Sequence, residues 1–224
     1  MNICICIGTR PEAIKLAPVI RAIRGHNGVG CHVHLTGQHP DLAAQALAQF
    51  DIEPDSFGNL AGVSPDLNAR FGAILSQIER LARKKAPNWF VVHGDTATAA
   101  AAALGSFHSQ VQVAHVEAGL RTGNLDGPWP EEGYRSMIAR FARLHFASTE
   151  AAKDNLIDEG ISASQVLVTG NTVVDALLQT VDRMNYDTRL RSELEHWYAR
   201  LEIPQKMVLV TLHRRENHGI GIAG

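Results

Sequence analysis

Three carboxylates, Asp95, Glu117 and Glu131, stand out in this chain of 224 residues because each follows an expected strand end or lies in the loop after one. Residues placed there converge on one cleft. Like charges held together out of water repel, so desolvation and repulsion are expected to raise at least one pKa, leaving a proton donor beside a proton acceptor. That is equipment for general acid–base chemistry. Asp95 taken alone reads first as a cap for the helix opening at Thr96, and only together with Glu117 and Glu131 as an acid/base group. Glu131 lies in Pro128-Trp129-Pro130-Glu131-Glu132, where two prolines stiffen a loop, and a rigid loop suits a residue that must be aimed. Glu132 reads as a helix-start carboxylate favoured by the dipole.

A second kind of chemistry is suggested by Gly8-Thr9-Arg10-Pro11-Glu12. A tight turn leads there into a helix with Pro at its first position, and the free N–H groups and positive dipole end could hold a phosphate or carboxylate, helped by the cations Arg10 and Lys15. The run is neither Gly-x-Gly-x-x-Gly nor a Walker loop. Arg10 alone reads equally as the partner of a loop carboxylate. Arg121 and Arg135 suit either orientation of the acids or a phosphate, or a structural ion pair.

These residues need a scaffold, and the sequence supplies an α/β pattern. Apolar runs at 2–7, 31–36, 89–93, 111–116, 144–147 and 165–168 alternate with helix-period segments at 11–24, 40–50, 67–85, 96–107, 132–142, 150–159 and 172–184. Such alternation predicts βαβ units in a doubly wound, Rossmann-like parallel sheet. Residues 1–185 form the expected first domain, and 186–205 a linker with one helix whose apolar stripe is Leu190, Leu194, Trp197 and Leu201. Residues 206–224 read as the opening strand and loop of a second domain.

Net charge is −2 and both signs are spread along the chain, so no basic face for nucleic acid or an anionic membrane is expected. No apolar run approaches the ~20 residues of a membrane span, and the N-terminus lacks the cationic start of a signal peptide; a cytoplasmic location is expected. Cys4, Cys6 and Cys31 are expected to be reduced core residues, the first two on opposite strand faces. The 11 histidines are scattered singly, and no metal site is expected.

Six motifs in order resemble the series of the non-hydrolysing UDP-N-acetylglucosamine 2-epimerases. They are Gly8-Thr9-Arg10-Pro11-Glu12-Ala13-Ile14-Lys15-Leu16-Ala17-Pro18, His93-Gly94-Asp95-Thr96, His115-Val116-Glu117-Ala118-Gly119-Leu120-Arg121, Pro130-Glu131-Glu132, Thr169-Gly170-Asn171-Thr172 and His213-Arg214-Arg215-Glu216-Asn217. The resemblance implies the first half of a GT-B-type two-domain fold. It implies that UDP is eliminated anti from UDP-GlcNAc to give 2-acetamidoglucal and re-added on the other face, yielding UDP-ManNAc. Asp95, Glu117 and Glu131 would be the acid/base groups. Arg10, Lys15 and His213 would stabilise substrate or leaving group, with Arg214, Arg121 and Arg135 near the substrate. No cofactor is implied, and a homodimer is expected for the full-length form. Gln38 and His39 match a motif that in bacterial members helps to hold a second, activating substrate molecule, although Asp41 and Ser64 stand where those members tend to carry Gln and Arg.

Gly133 and Tyr134 follow Glu132 where the family usually has one residue and then Asn before Arg. This leaves open a sister 2-epimerase acting on a UDP-diacetamido uronic acid. A cleft with one wall would turn over weakly or not at all, which keeps a non-catalytic nucleotide-sugar-binding fragment in play. A glycosyltransferase of the same architecture is disfavoured by the carboxylate trio.

Overall fold

The computed structural model describes residues 1–201 and Val208. Seven strands form one sheet: β1 (Asn2–Ile7), β2 (Gly30–Leu35), β3 (Ser56–Phe57), β4 (Trp89–His93), β5 (Gln112–Ala118), β6 (Leu144–Ala147) and β7 (Val166–Val168). All pairings are parallel, in the order β3-β2-β1-β4-β5-β6-β7. The order reverses direction between β1 and β4, which makes that point the crevice of a doubly wound fold. The helices are α1 (Arg10–Arg24), α2 (Pro40–Ala48), α3 (Leu67–Lys85), α4 (Ala97–His108), α5 (Glu131–Phe141), α6 (Glu150–Asp158), α7 (Thr172–Tyr186) and α8 (Thr188–Ala199).

Alternation along the strands sends side chains to two cores. Ile5, Ile7, Val33 and Leu35 meet Leu16 and Ile20 of α1 and Leu47 of α2 on one face. Cys4, Cys6, Phe90 and Val92 meet Ile74 and Ile78 of α3 and the alanine run of α4 on the other. Cys4 and Cys6 therefore share a face, contrary to the expectation above, because residues two apart on a strand point the same way. Both thiols are free and buried, and burial pushes Cys4 up to about 12. The buried alanines of α4 let it lie close to the sheet, which holds the start of the helix, next to Asp95, firmly in place.

The chain divides into two compact units, Met1–Ala176 and Leu177–Gly224. In the second, Asp187 caps α8 by accepting from the Leu190 N–H at 2.9 Å, and Leu194 and Trp197 are exposed. The strand expected after Pro204, with His213 and Arg214, lies outside the described residues. No described helix is long and apolar enough to cross a membrane.

Gly119, just past β5, has φ +83°, and a Cβ there would stand 2.0 Å from the carbonyl oxygen of Ala152. Gly119→Ala is expected to lower stability by about 2–5 kcal/mol, from left-handed backbone strain plus overpacking. A urea midpoint corresponding to less than about 1 kcal/mol of loss would contradict this.

Candidate active site

The crevice is built from the turns after β1, β4 and β5. β4 and β5 run in register to His93↔Val116, and the Gly94 N–H donates to the Val116 carbonyl at 2.9 Å, so the two turns leave the sheet side by side. Glu117 is the extra residue of a β-bulge. Val116 pairs with Phe146 and Ala118 with Ala147, so two steps on β5 face one on β6. Its φ of +59° lies in the left-handed region, rare for a residue with a side chain. Bulges re-aim side chains.

The Glu117 carboxylate meets Lys15 Nζ at 2.6 and 2.8 Å, accepts from Asn171 Nδ2 at 2.9 Å, and faces His93 Nε2 at 3.5 Å. Burial works to raise its pKa, but His93 and Lys15 outweigh burial and hold it at about 2. The expected upward shift is thus reversed at Glu117, because a cation rather than a second carboxylate is its nearest neighbour. Lys15 comes from α1, Asn171 from the turn after β7 and His93 from the end of β4. His93 and Asn171 were quoted within motifs but given no role from sequence.

Asp95 is gripped by Arg135, whose Nε and Nη2 donate at 2.8 and 2.6 Å. It does not cap α4. Thr96 does, its hydroxyl accepting from the Ala99 N–H at 3.0 Å, which leaves the Asp95 carboxylate free of that structural duty. Arg135 reaches from α5 and also donates to Glu132 at 3.0 Å. Glu132 is buried and its other oxygen accepts from the N–H groups of Thr122 and Gly123, both at 3.0 Å. Burial favours its neutral form, but the two amides and Arg135 hold its pKa low. Beyond starting a helix, Glu132 therefore fastens the loop after β5 to Arg135 and so to Asp95. Glu131 is the first residue of α5 rather than part of the preceding loop. It is half-buried, and among the described residues no ion pair or hydrogen bond reaches its carboxylate. Its charge and burial raise the pKa of Tyr134, burial being the larger cause, and the Tyr134 ring stacks on Phe71 with centroids 6.0 Å apart.

The β1–α1 turn does hold a carboxylate, but the carboxylate is its own. One oxygen of Glu12 accepts from the N–H of Gly8 at 2.9 Å, the N–H of Thr9 at 2.7 Å and the Thr9 hydroxyl at 2.9 Å. The Gly8 and Thr9 amides, just ahead of the first turn of α1, are therefore taken by Glu12. Arg10 remains exposed at the mouth. Gly8 also presses against α4, since a Cβ on it would stand 1.9 Å from Thr98 Oγ1.

Gln38 accepts from the Thr98 hydroxyl at 2.9 Å, and the His39 N–H donates to the Gly8 carbonyl at 2.9 Å, so the turn after β2 is tied to the same crevice. Arg121 points elsewhere. Its guanidinium donates to both oxygens of Glu159, at 2.6 and 2.8 Å, beside a cavity of about 420 Å³ lined also by Ser136, Asn155 and Asp158. In this structure it makes a structural pair rather than joining Lys15 and Glu117.

A family model described as UDP-N-acetylglucosamine 2-epimerase matches residues 21–222. The chain is 43% identical over 220 residues to a probable UDP-N-acetylglucosamine 2-epimerase of Ralstonia nicotianae, covering 98% of this chain and 59% of that protein. It superposes on the UDP-GlcNAc 2-epimerase of Neisseria meningitidis, solved bound to UDP-GlcNAc, with TM-score 0.93 and 40% identity, over 99% of this chain and 60% of that one. The enzyme of Methanocaldococcus jannaschii gives TM-score 0.82 at 36% identity, over 97% and 57%. The chain thus spans about three fifths of the length of these relatives, and with the family match running nearly from end to end it belongs to the UDP-N-acetylglucosamine 2-epimerase family.

Proposed function

We propose that this chain supplies the acid/base wall of a UDP-sugar 2-epimerase, the first half of a GT-B-type fold, interconverting UDP-GlcNAc and UDP-ManNAc. The observation that carries the reading is the bulged carboxylate of Glu117, held ionised by His93 and Lys15 at the end of β5, beside the strand that Asp95 follows. A carboxylate takes the C2 proton while the C1–O bond to the diphosphate breaks. The C1–C2 double bond of 2-acetamidoglucal forms, and UDP departs with the electron pair. Re-addition delivers a proton to the other face of C2 and UDP back to C1.

A base with a pKa of about 2 is weak, and Lys15 explains how the weakness is relieved. A bound diphosphate competes with Glu117 for the ammonium group. As Lys15 turns to the phosphates, the carboxylate keeps His93 but loses one of the two groups that hold its pKa down in a partly buried site, and its proton affinity rises. Arg10, exposed at the mouth, adds a second cation for the leaving group. Glu131, at the first position of α5, is a further acid/base group of the site. His213 and Arg214 would complete the leaving-group side, and the protein acts as a cytoplasmic homodimer in its full-length form. A UDP-diacetamido uronic acid is the alternative substrate, left open by Gly133 and Tyr134 before Arg135.

The test is incubation with UDP-GlcNAc in deuterated water, with NMR detection of deuterium at C2 and of the manno product. It is run on this chain and on a chimera carrying the remaining two fifths of the Neisseria relative. Deuterium at C2 in either supports the reading. No exchange in both, with both folded, overturns it for this sugar, and repeating with the diacetamido uronic acid decides the alternative.

A further inference from the structure

Glu12 is 1% exposed, and nothing in the proposed chemistry uses it. Its two oxygens serve different elements. One takes the amides of Gly8 and Thr9 and the Thr9 hydroxyl, which closes the β1–α1 turn. The other accepts the hydroxyl proton of Thr96, 84 residues away, at 2.6 Å. Thr96 is at once the residue after Asp95 and the cap of α4. On one side of the link lie Arg10 and Lys15, and on the other Asp95; the link spans β1 and β4, the two strands between which the sheet order reverses.

We propose that Glu12 is a positioning residue of the epimerase site, a buried latch that fixes the cation-bearing turn of α1 against the carboxylate-bearing turn before α4. The proposal rests on the epimerase reading above. The latch is non-local, which distinguishes it from an ordinary capping box. A capping box satisfies its own helix and needs no second element. Here the carboxylate is carried into the interior, where burial pushes its pKa up against the pull of Thr96, Gly8, His93 and Thr9. A charged group buried for the sake of one helix end would be a costly choice when an exposed side chain serves as well. The distance it controls is the one that matters to an elimination, between the groups that receive the leaving diphosphate and the groups that handle the proton. A misplacement of about 1 Å between such groups costs on the order of 100-fold in rate.

Thr96→Ala removes the donor to Glu12 together with the α4 cap, and Thr96→Ser keeps both. Loss of a cap alone lowers stability modestly and leaves the native state populated. The measurement is steady-state C2 exchange of UDP-GlcNAc in whichever form, chain or chimera, shows wild-type exchange, with a thermal melt of each variant. Expected is a fall of kcat by about 10- to 100-fold in Thr96→Ala, with KM within about 3-fold, and recovery in Thr96→Ser. A Thr96→Ala protein with a lowered melt but wild-type kcat overturns the latch and leaves the epimerase reading standing. A wild type without C2 exchange in either form, on UDP-GlcNAc and on the diacetamido uronic acid alike, overturns the epimerase reading, and the positioning role with it.

Discussion

Glu117→Gln is expected to lower C2 proton exchange by about 10³-fold, the usual scale for deleting a positioned acid or base. The isosteric amide can still accept from Asn171 Nδ2, and the bulge leaves the ladder on both sides of residue 117 paired. What is lost is the negative charge, so Lys15 is left without its counter-ion before substrate arrives. This gives the variant a second signature. With no carboxylate to compete, Lys15 is freer for the diphosphate, so KM should hold or fall while kcat collapses. Lys15→Met should show the opposite balance, a rise in KM for UDP-GlcNAc. Steady-state exchange in the active form, chain or chimera, measures both. Activity of Glu117→Gln within about 10-fold of wild type would remove Glu117 from the chemistry.

Acid should unfold the first unit early, because three of its histidines are folded in as neutral groups. Burial lowers His34 to about 4, His115 to about 3 and His145 to about 4 from the ordinary 6.5. His115 and His145 pair across β5 and β6, and His115 Nδ1 finds no partner among the described residues. In the unfolded chain each takes up a proton as pH falls below about 6.5, and in the folded chain none does until about 4. The unfolded state therefore binds more protons throughout that window, and stability drops as pH drops. Each histidine contributes a slope of about 1.4 kcal/mol per pH unit, so three contribute about 4. A domain stable by about 5–15 kcal/mol exhausts much of that between pH 6 and 4. Glu12 works in the opposite direction and Glu117 reinforces the loss only below about 4.5. Urea titrations of the chain at pH 7.5, 6.0 and 5.0 measure the slope, and His145→Leu should flatten it by about a third. A stability independent of pH down to 4.5 would contradict the burial of these rings as neutral species.

What the sequence disclosed, and what it withheld, follows from the range of the interactions. Strands β1, β2, β4, β5, β6 and β7 and helices α1 to α7 were readable to within a few residues because periodicity is local. β3 was not, since Ser56–Phe57 is too short to show a period and exists only as an addition to the edge of β2. Asp95 lies just past the end of β4. Its partner Arg135 is 40 residues away and Lys15 lies 102 residues from Glu117, separations at which no spacing rule operates. The same limit kept the Glu12–Thr96 contact out of the sequence. Glu12 stood within the motif, but which way its side chain turned was decided by Thr96 across the sheet. Arg121 was drawn to Glu159 for the same kind of reason.

The bulge at residue 117 has one further consequence. Because the ladder to β6 steps from Val116 to Ala118, the carboxylate occupies an interval in the pairing rather than a place within it. The strand pairing places no demand on the side chain there beyond a left-handed backbone. Chemistry at this point can be rewritten by changing one residue while the scaffold keeps its frame, and a chain one residue shorter would retain a continuous sheet with the reactive group deleted outright.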